Sequence, residues 1–417
     1  MTRKGRSTSL WQPGPRPDWV RLLNGLGEPD WIPLDPEALV DEAVRRTGLG
    51  DFGGDSWREG FEIFVEALNA EARLNLVGRV LARSDILNWL ENLLLLADTR
   101  KRHVAIGGVS IERPIFITGL PRTGTSILHE LLGRDPAHRV PLAWEVRHPC
   151  PPPQAASYAS DPRIARADEE VRFWAQVVPE YDRMHELGGR IPVECIQITA
   201  HEFRSDELSG RHVVPSYAAW LAGADLEPAY AFHRRMLQHL GWQAPGERWV
   251  LKAPSHMAGL GALFAVYPDA CIVQTHRDPL VVMASVASVL YSTAWVRSDA
   301  VDAEQVRRWF TGETCRALLD GADAIRDGGA VDPTRFCDVR YADLMDDPFG
   351  SLASVYEHFD LDFGAEAERR MRAYLFEKAK GRHGAHRYGF EHTGFDRDEE
   401  RRRFASYQER YGVPSEI

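Results

Sequence analysis

The segment RPIFITGLPRTGTSILHELLGRD, residues Arg113–Asp135, constrains the fold more than any other part of the chain. It reads as a short apolar run with β-branched residues, a glycine-containing turn and an amphipathic helix. A strand apolar at nearly every position must be buried on both faces. The same order of strand, loop and helix recurs at ERWVLKAPSHMAGLGALFAVYPD, at CIVQTHRDPLVVMASVASVL and at RFCDVRYADLMDDPFGSLASVYEHF. Repeated strand–helix alternation predicts an α/β fold with a central parallel sheet and flanking helices. Before it, residues 1 to about 34 are rich in Pro, Gly and Trp and read as an irregular arm, while Pro36 to Thr99 has helical periodicity. The expected organisation is a helical N-terminal extension or cap over residues 1–112 and an α/β domain over 113–417. Asp161 to Gly241 should be mostly helical, and the proline-rich HPCPPPQ (His148–Gln154) a rigid loop.

Fifty Lys and Arg against 61 Asp and Glu give a net charge of −11. Binding to a phosphate backbone needs a basic surface, so nucleic acid is not expected as the main partner. The five cysteines are scattered, without a C-x-x-C pair, which suits a reducing compartment and neither a disulfide scaffold nor a zinc site. The N-terminus lacks the apolar core of a signal peptide, and the apolar run around NWLENLLLLAD is too short to span a bilayer. A cytoplasmic protein is the expectation.

GLPRTGTS, Gly119–Ser126, is close to a nucleotide-binding loop of the Walker A type. Both glycines are in place and Ser126 stands where a metal-binding hydroxyl belongs, yet Thr125 occupies the lysine position. Backbone N–H groups at a helix N-terminus hold a phosphate whichever side chain stands there. In an NTPase that lysine neutralises the terminal phosphates, so its loss suggests a ligand with fewer of them at this end. Arg122, Thr123, Gly124, Thr125 and Ser126 supply the remaining cationic, hydroxyl and backbone groups. The alternative is a tight strand-to-helix turn without a ligand.

GLPRTGTS also resembles the 5′-phosphosulfate loop of sulfotransferases, in the arginine form found in tyrosylprotein sulfotransferases and related bacterial enzymes. That resemblance implies a P-loop nucleotide-kinase type of sheet and the donor 3′-phosphoadenosine-5′-phosphosulfate (PAPS), with adenosine 3′,5′-bisphosphate (PAP) as product. In the family an arginine and a serine eight residues apart hold the 3′-phosphate, which implies Arg277 and Ser285 in THRDPLVVMAS. The YADL…DP segment is similar to one whose tyrosine faces the nucleotide, implying Tyr341. Lys380–Phe395 is basic and glycine-containing, like a family segment that closes over the cofactor.

Sulfuryl transfer to a hydroxyl needs a base, in-line geometry and positive charge at the departing oxygen. Arg122 and Lys252, the latter at the end of RWVLK, meet the third need, so no metal is required. Glu145 matches the glutamate of the tyrosylprotein type and is the first choice for the base. His256, close to the position of the histidine base in cytosolic sulfotransferases, is the second. Glu194 in IPVECIQI could serve as well. The acceptor is expected to be a small hydroxyl compound, with the Trp-rich helical parts slightly favouring an apolar one. An ATP-dependent kinase and a non-catalytic nucleotide-binding module remain as rivals.

Overall fold

In the computed structural model, residues 14–179, 186–380 and 389–417 are described. The four anticipated strands form as β1 (Ile115–Gly119), β3 (Arg248–Lys252), β4 (Cys271–His276) and β5 (Phe336–Arg340). A fifth strand, β2 (His138–Arg139), was not anticipated; at two polar residues it has no period to read. The order is β2-β3-β1-β4-β5 and every pairing is parallel. The expected central parallel sheet with flanking helices is therefore the fold.

Strand β1 lies in the middle and is buried along its whole length, as is β4. Register aligns Gly119 with Thr275, Ile117 with Lys252, and His276 with Arg340. The carboxyl ends of β1, β3, β4 and β5 thus open onto one edge, which is where parallel α/β sheets bind ligands.

Alternate strand residues point to opposite faces, and the two faces have separate cores. Ile115, Ile117, Val250 and Val273 pack with Leu128, Leu131 and Leu352 on one side. Phe116, Leu251 and Ile272 face the other side, in a core that runs on through Met236, Leu90, Phe61 and Trp57. The helices Pro36–Thr47, Arg58–Ala70 and Leu76–Arg102 therefore share a single core with the sheet, across the boundary drawn near residue 112.

Asp161–Gly241 contains the helices Arg163–Val177, Cys195–Thr199, Asp206–Arg211, Pro215–Gly223 and Glu227–Gly241, as its periodicity predicts. The described part of the N-terminal arm is less irregular than expected, with a 3-10 turn at Pro29–Trp31. Asp18–Leu26 is a helix, joined to the body where Asn24 accepts a hydrogen bond from the Val77 amide at 3.2 Å. All five cysteines are free thiols, and among the described residues no helix is long and apolar enough to cross a membrane.

Candidate active site

The loop after β1 is shaped by its two glycines. Gly119 has φ 137°, and a Cβ there would lie 2.4 Å from the Thr275 carbonyl oxygen on the neighbouring strand. Gly124 has φ 92°, and its Cβ would lie 3.1 Å from the Tyr341 ring. Positive φ and close approach both require a residue without a side chain. Gly124 is the N-cap of the helix Thr125–Leu132, and no side chain caps that end. Uncapped N–H groups and the helix dipole leave an anion-binding position at the loop.

Within the loop the hydroxyls have different roles. Thr123 Oγ1 lies 2.6 Å from the Leu120 carbonyl and 2.5 Å from Thr275 Oγ1, which donates to the Thr118 carbonyl at 3.1 Å. This chain of contacts fastens the loop to β4, so the buried Thr123 hydroxyl faces inward and only its backbone can serve a ligand. Thr125 is buried too, whereas Ser126 and Arg122 are exposed.

Three of the residues named from sequence converge on the β4 side of the loop. Arg122 Nε donates to Ser285 Oγ at 3.1 Å, and Arg277 Nη1 donates to the Arg122 carbonyl at 3.1 Å. The Arg277 guanidinium stacks on the Tyr341 ring at 3.9 Å from its centroid, a cation–π arrangement. Arg277 also forms a bidentate pair with Glu416, with Nε and Nη2 at 2.9 and 2.8 Å from the two carboxylate oxygens.

On the opposite side, Lys252 ends β3 and is almost fully buried. Its ammonium donates to Ser126 Oγ at 3.2 Å and pairs with the Glu194 carboxylate. Glu194 is the N-cap residue of the short helix Cys195–Thr199, and its side chain retains 20% exposure. A loop hydroxyl, a cation and a partly accessible carboxylate are thereby joined in one chain of contacts.

The two residues preferred from sequence as the base sit elsewhere. Glu145 is fully buried; it accepts from Arg139 Nη2 at 2.6 Å and from the Leu142 amide at 3.1 Å. Arg139, on β2, is further tied to the Leu240 carbonyl at 2.9 Å and to the Tyr158 hydroxyl at 2.9 Å. Its guanidinium stacks on Trp249, whose side chain belongs to the core beneath the sheet. Glu145 is thus the counter-ion of a buried arginine, which is why its position is occupied by an acid. His256 is also buried: Nδ1 lies 2.8 Å from the Tyr230 hydroxyl and the ring meets Phe116 edge-on. Burial, with smaller contributions from His233 and Lys252, holds its pKa well below the ordinary value. Both side chains are buried, with 0% and 2% of their residues' surface exposed.

A model described as the sulfotransferase family matches residues 114–365, which contain all the site residues named above except Glu416. The chain belongs to the sulfotransferase family. It is 30% identical over 287 residues to the omega-hydroxy-beta-dihydromenaquinone-9 sulfotransferase Stf3 of Mycobacterium bovis and Mycobacterium tuberculosis, covering 65% of this chain and 69% of the relative. Among solved structures it is similar to the sulfotransferase STF1 of Mycobacterium tuberculosis, at 34% identity and a TM-score of 0.77 over 89% of this chain and 98% of that one. The sulfotransferase STF9 of Mycobacterium avium matches at 29% identity and a TM-score of 0.82, over 91% of this chain and 97% of that one. The enzyme is accordingly a sulfotransferase. Of the residues that sequence reasoning ranked low, Glu194 is the one joined to the loop, through Lys252; lying at a helix start two residues after Pro192, it carried no motif of its own.

Proposed function

We propose that the enzyme transfers the sulfuryl group of PAPS to the hydroxyl of a small apolar acceptor, with Glu194 as the base. The observation that carries this reading is the contact chain Ser126–Lys252–Glu194, in which a partly accessible carboxylate adjoins the cation beside the phosphate loop. The residues present fit the donor. The uncapped helix N-terminus suits its 5′-phosphosulfate, and Arg277 and Ser285 suit its 3′-phosphate. Tyr341, stacked on Arg277, offers an aromatic face close to Gly124. When bound, PAPS supplies the activated sulfuryl group. Lys252 and Arg122 hold positive charge at the loop, where negative charge must be stabilised as the leaving phosphate forms. Glu194 takes the acceptor proton; its exposure sets it apart from Glu145 and His256.

The acceptor of the mycobacterial relative is a hydroxylated menaquinone derivative, which belongs to the apolar class proposed for this enzyme. The helices before residue 112 are proposed to cover the acceptor side. Half of the basic segment Lys380–Phe395, proposed from sequence to close over the cofactor, falls outside the described residues, since 381–388 are not among them. A soluble, cytoplasmic enzyme using no metal and no nucleic-acid partner completes the proposal.

Calorimetry with PAP against ATP–Mg²⁺ tests the donor. Magnesium-dependent preference for ATP would overturn the reading in favour of a kinase. Tight binding of PAP without turnover on a broad panel of alcohols and phenols would favour a binding module.

A further inference from the structure

The segment Val413–Ile417 lies against the start of the helix Pro279–Trp295 and is held there by several contacts. Val413 is buried; its amide donates to the Gln408 carbonyl at 2.9 Å and its carbonyl accepts from Gln408 Nε2 at 3.2 Å. The Glu416 amide donates to Asp278 Oδ2 at 2.8 Å. Asp278 is fully buried, caps the helix through the Leu280 amide and pairs with Arg401 at 2.8 and 3.0 Å. Arg401 in turn donates to the Ile417 carbonyl at 2.7 Å. The backbone is therefore fixed independently of what the Glu416 side chain does.

That side chain reaches across to Arg277, one residue before Asp278, and fills the guanidinium edge formed by Nε and Nη2. This edge is the geometry with which arginine holds a carboxylate or a phosphate in two parallel hydrogen bonds. A phosphate taken by the same edge cannot share it with a carboxylate, because two anions about 3 Å apart repel strongly. The Glu416 side chain is 31% exposed and Arg277 13%, so the pair is accessible to a competing anion.

We propose that Glu416 is an internal ligand of the nucleotide site: its carboxylate occupies the Arg277 fork and leaves when a 3′-phosphate arrives. The proposal rests on the reading of Arg277 as the 3′-phosphate arginine. Its effect is to lower affinity by the fraction of molecules in which the fork is open. Both donor and product carry the 3′-phosphate, so the carboxylate weakens the binding of both and returns to the fork as the product leaves. Only a side-chain rotation is needed, since the Glu416 amide remains on Asp278.

The test is titration calorimetry of the full chain with PAP and, as a control, adenosine 5′-monophosphate. Glu416→Gln keeps the backbone anchor and removes the charge. It should tighten PAP binding about three- to tenfold, the gain expected when a fork open in a tenth to a third of molecules becomes always open. Affinity for the monophosphate should be unchanged. Unchanged or weaker PAP binding in Glu416→Gln overturns the proposal, weaker binding showing that Glu416 orients Arg277 for the ligand. Arg277→Ala separates the two levels: loss of PAP affinity there, with no gain in Glu416→Gln, sinks the internal ligand alone. No loss of PAP affinity in Arg277→Ala overturns the assignment of Arg277 and the internal ligand with it. Circular dichroism melts of both variants verify that each is folded.

Discussion

Replacing Glu194 by glutamine keeps the size of the side chain and an oxygen for Lys252, but removes the proton acceptor. General-base catalysis contributes about 10²–10⁴-fold, so turnover of an aliphatic alcohol should fall by that factor. Phenols are more acidic and should lose less. Stability should fall less than in a fully buried pair: Lys252, 4% exposed, loses its counter-charge but keeps Ser126 Oγ and an amide oxygen, and the Glu194 side chain is 20% exposed. Glu145→Ala makes the contrasting change. Arg139 and Glu145 have side-chain exposures of 8% and 0%, and removing one partner of a buried pair costs about 3–5 kcal/mol. For a chain of 417 residues, unfolding entropy of about 2 cal/mol/K per residue converts this into roughly 4–6 °C of melting temperature. Steady-state rates with saturating PAPS, corrected for folded fraction, and scanning calorimetry read the two effects separately. The expected pattern is an inactive Glu194→Gln with the smaller loss of melting temperature and an active Glu145→Ala with the larger. An inactive Glu145→Ala with unaltered melting, beside an active Glu194→Gln, would refute the assignment of both residues.

Thr125→Lys should lower PAPS-dependent activity without creating an ATPase, since Thr125 is buried and the long side chain would intrude on the anion position; magnesium-dependent ATP hydrolysis above background would contradict this. Gly124→Ala should abolish PAP binding in calorimetry, because φ is 92° and the added carbon meets the Tyr341 and Leu344 side chains at 3.1 Å; wild-type affinity would show that the loop tolerates another shape. Stability should also depend on acid. Burial lowers His129, His212 and His233 to about 3 and His201 and His239 to about 4. Because the unfolded histidines take up protons near pH 6.5 and the folded ones do not, stability is complete above that pH and falls as pH drops toward 4. Urea midpoints that stay level from pH 6.5 to 5 would show that these rings are protonated in the folded chain.

How much of this could be read from the residues depends on how local the determining contacts are. Strand, glycine turn and helix lie within about twenty residues at Arg113–Asp135, so loop and sheet follow from pattern. Arg277 and Ser285 are likewise close in sequence, on one strand end and the next helix. The pairing of Lys252 with Glu194, the proposed base, was not legible although both residues were named, because they are 58 residues apart and meet only when β3 and the helix Cys195–Thr199 are assembled. The ion pair of Glu145 was hidden for a complementary reason: its motif points to the loop, while its partner Arg139 lies on β2, whose two polar residues give no strand signal. His256 stands four residues after Lys252, but the short 3-10 helix Pro254–Met257 turns it under the sheet beside Phe116.

Arg122 joins what a list of separate anchors would leave apart. It belongs to the loop, yet its side chain holds Ser285 and its carbonyl holds Arg277. In the proposed complex the two ends of the nucleotide would therefore be gripped by a single yoke, and strain at one end would be felt at the other. A substitution at Ser285 and one in the loop should not add in a double-mutant cycle, since both loosen the same joint. Such an arrangement measures the distance between two phosphates as well as their charge. Ligands with the right groups at the wrong separation would be refused.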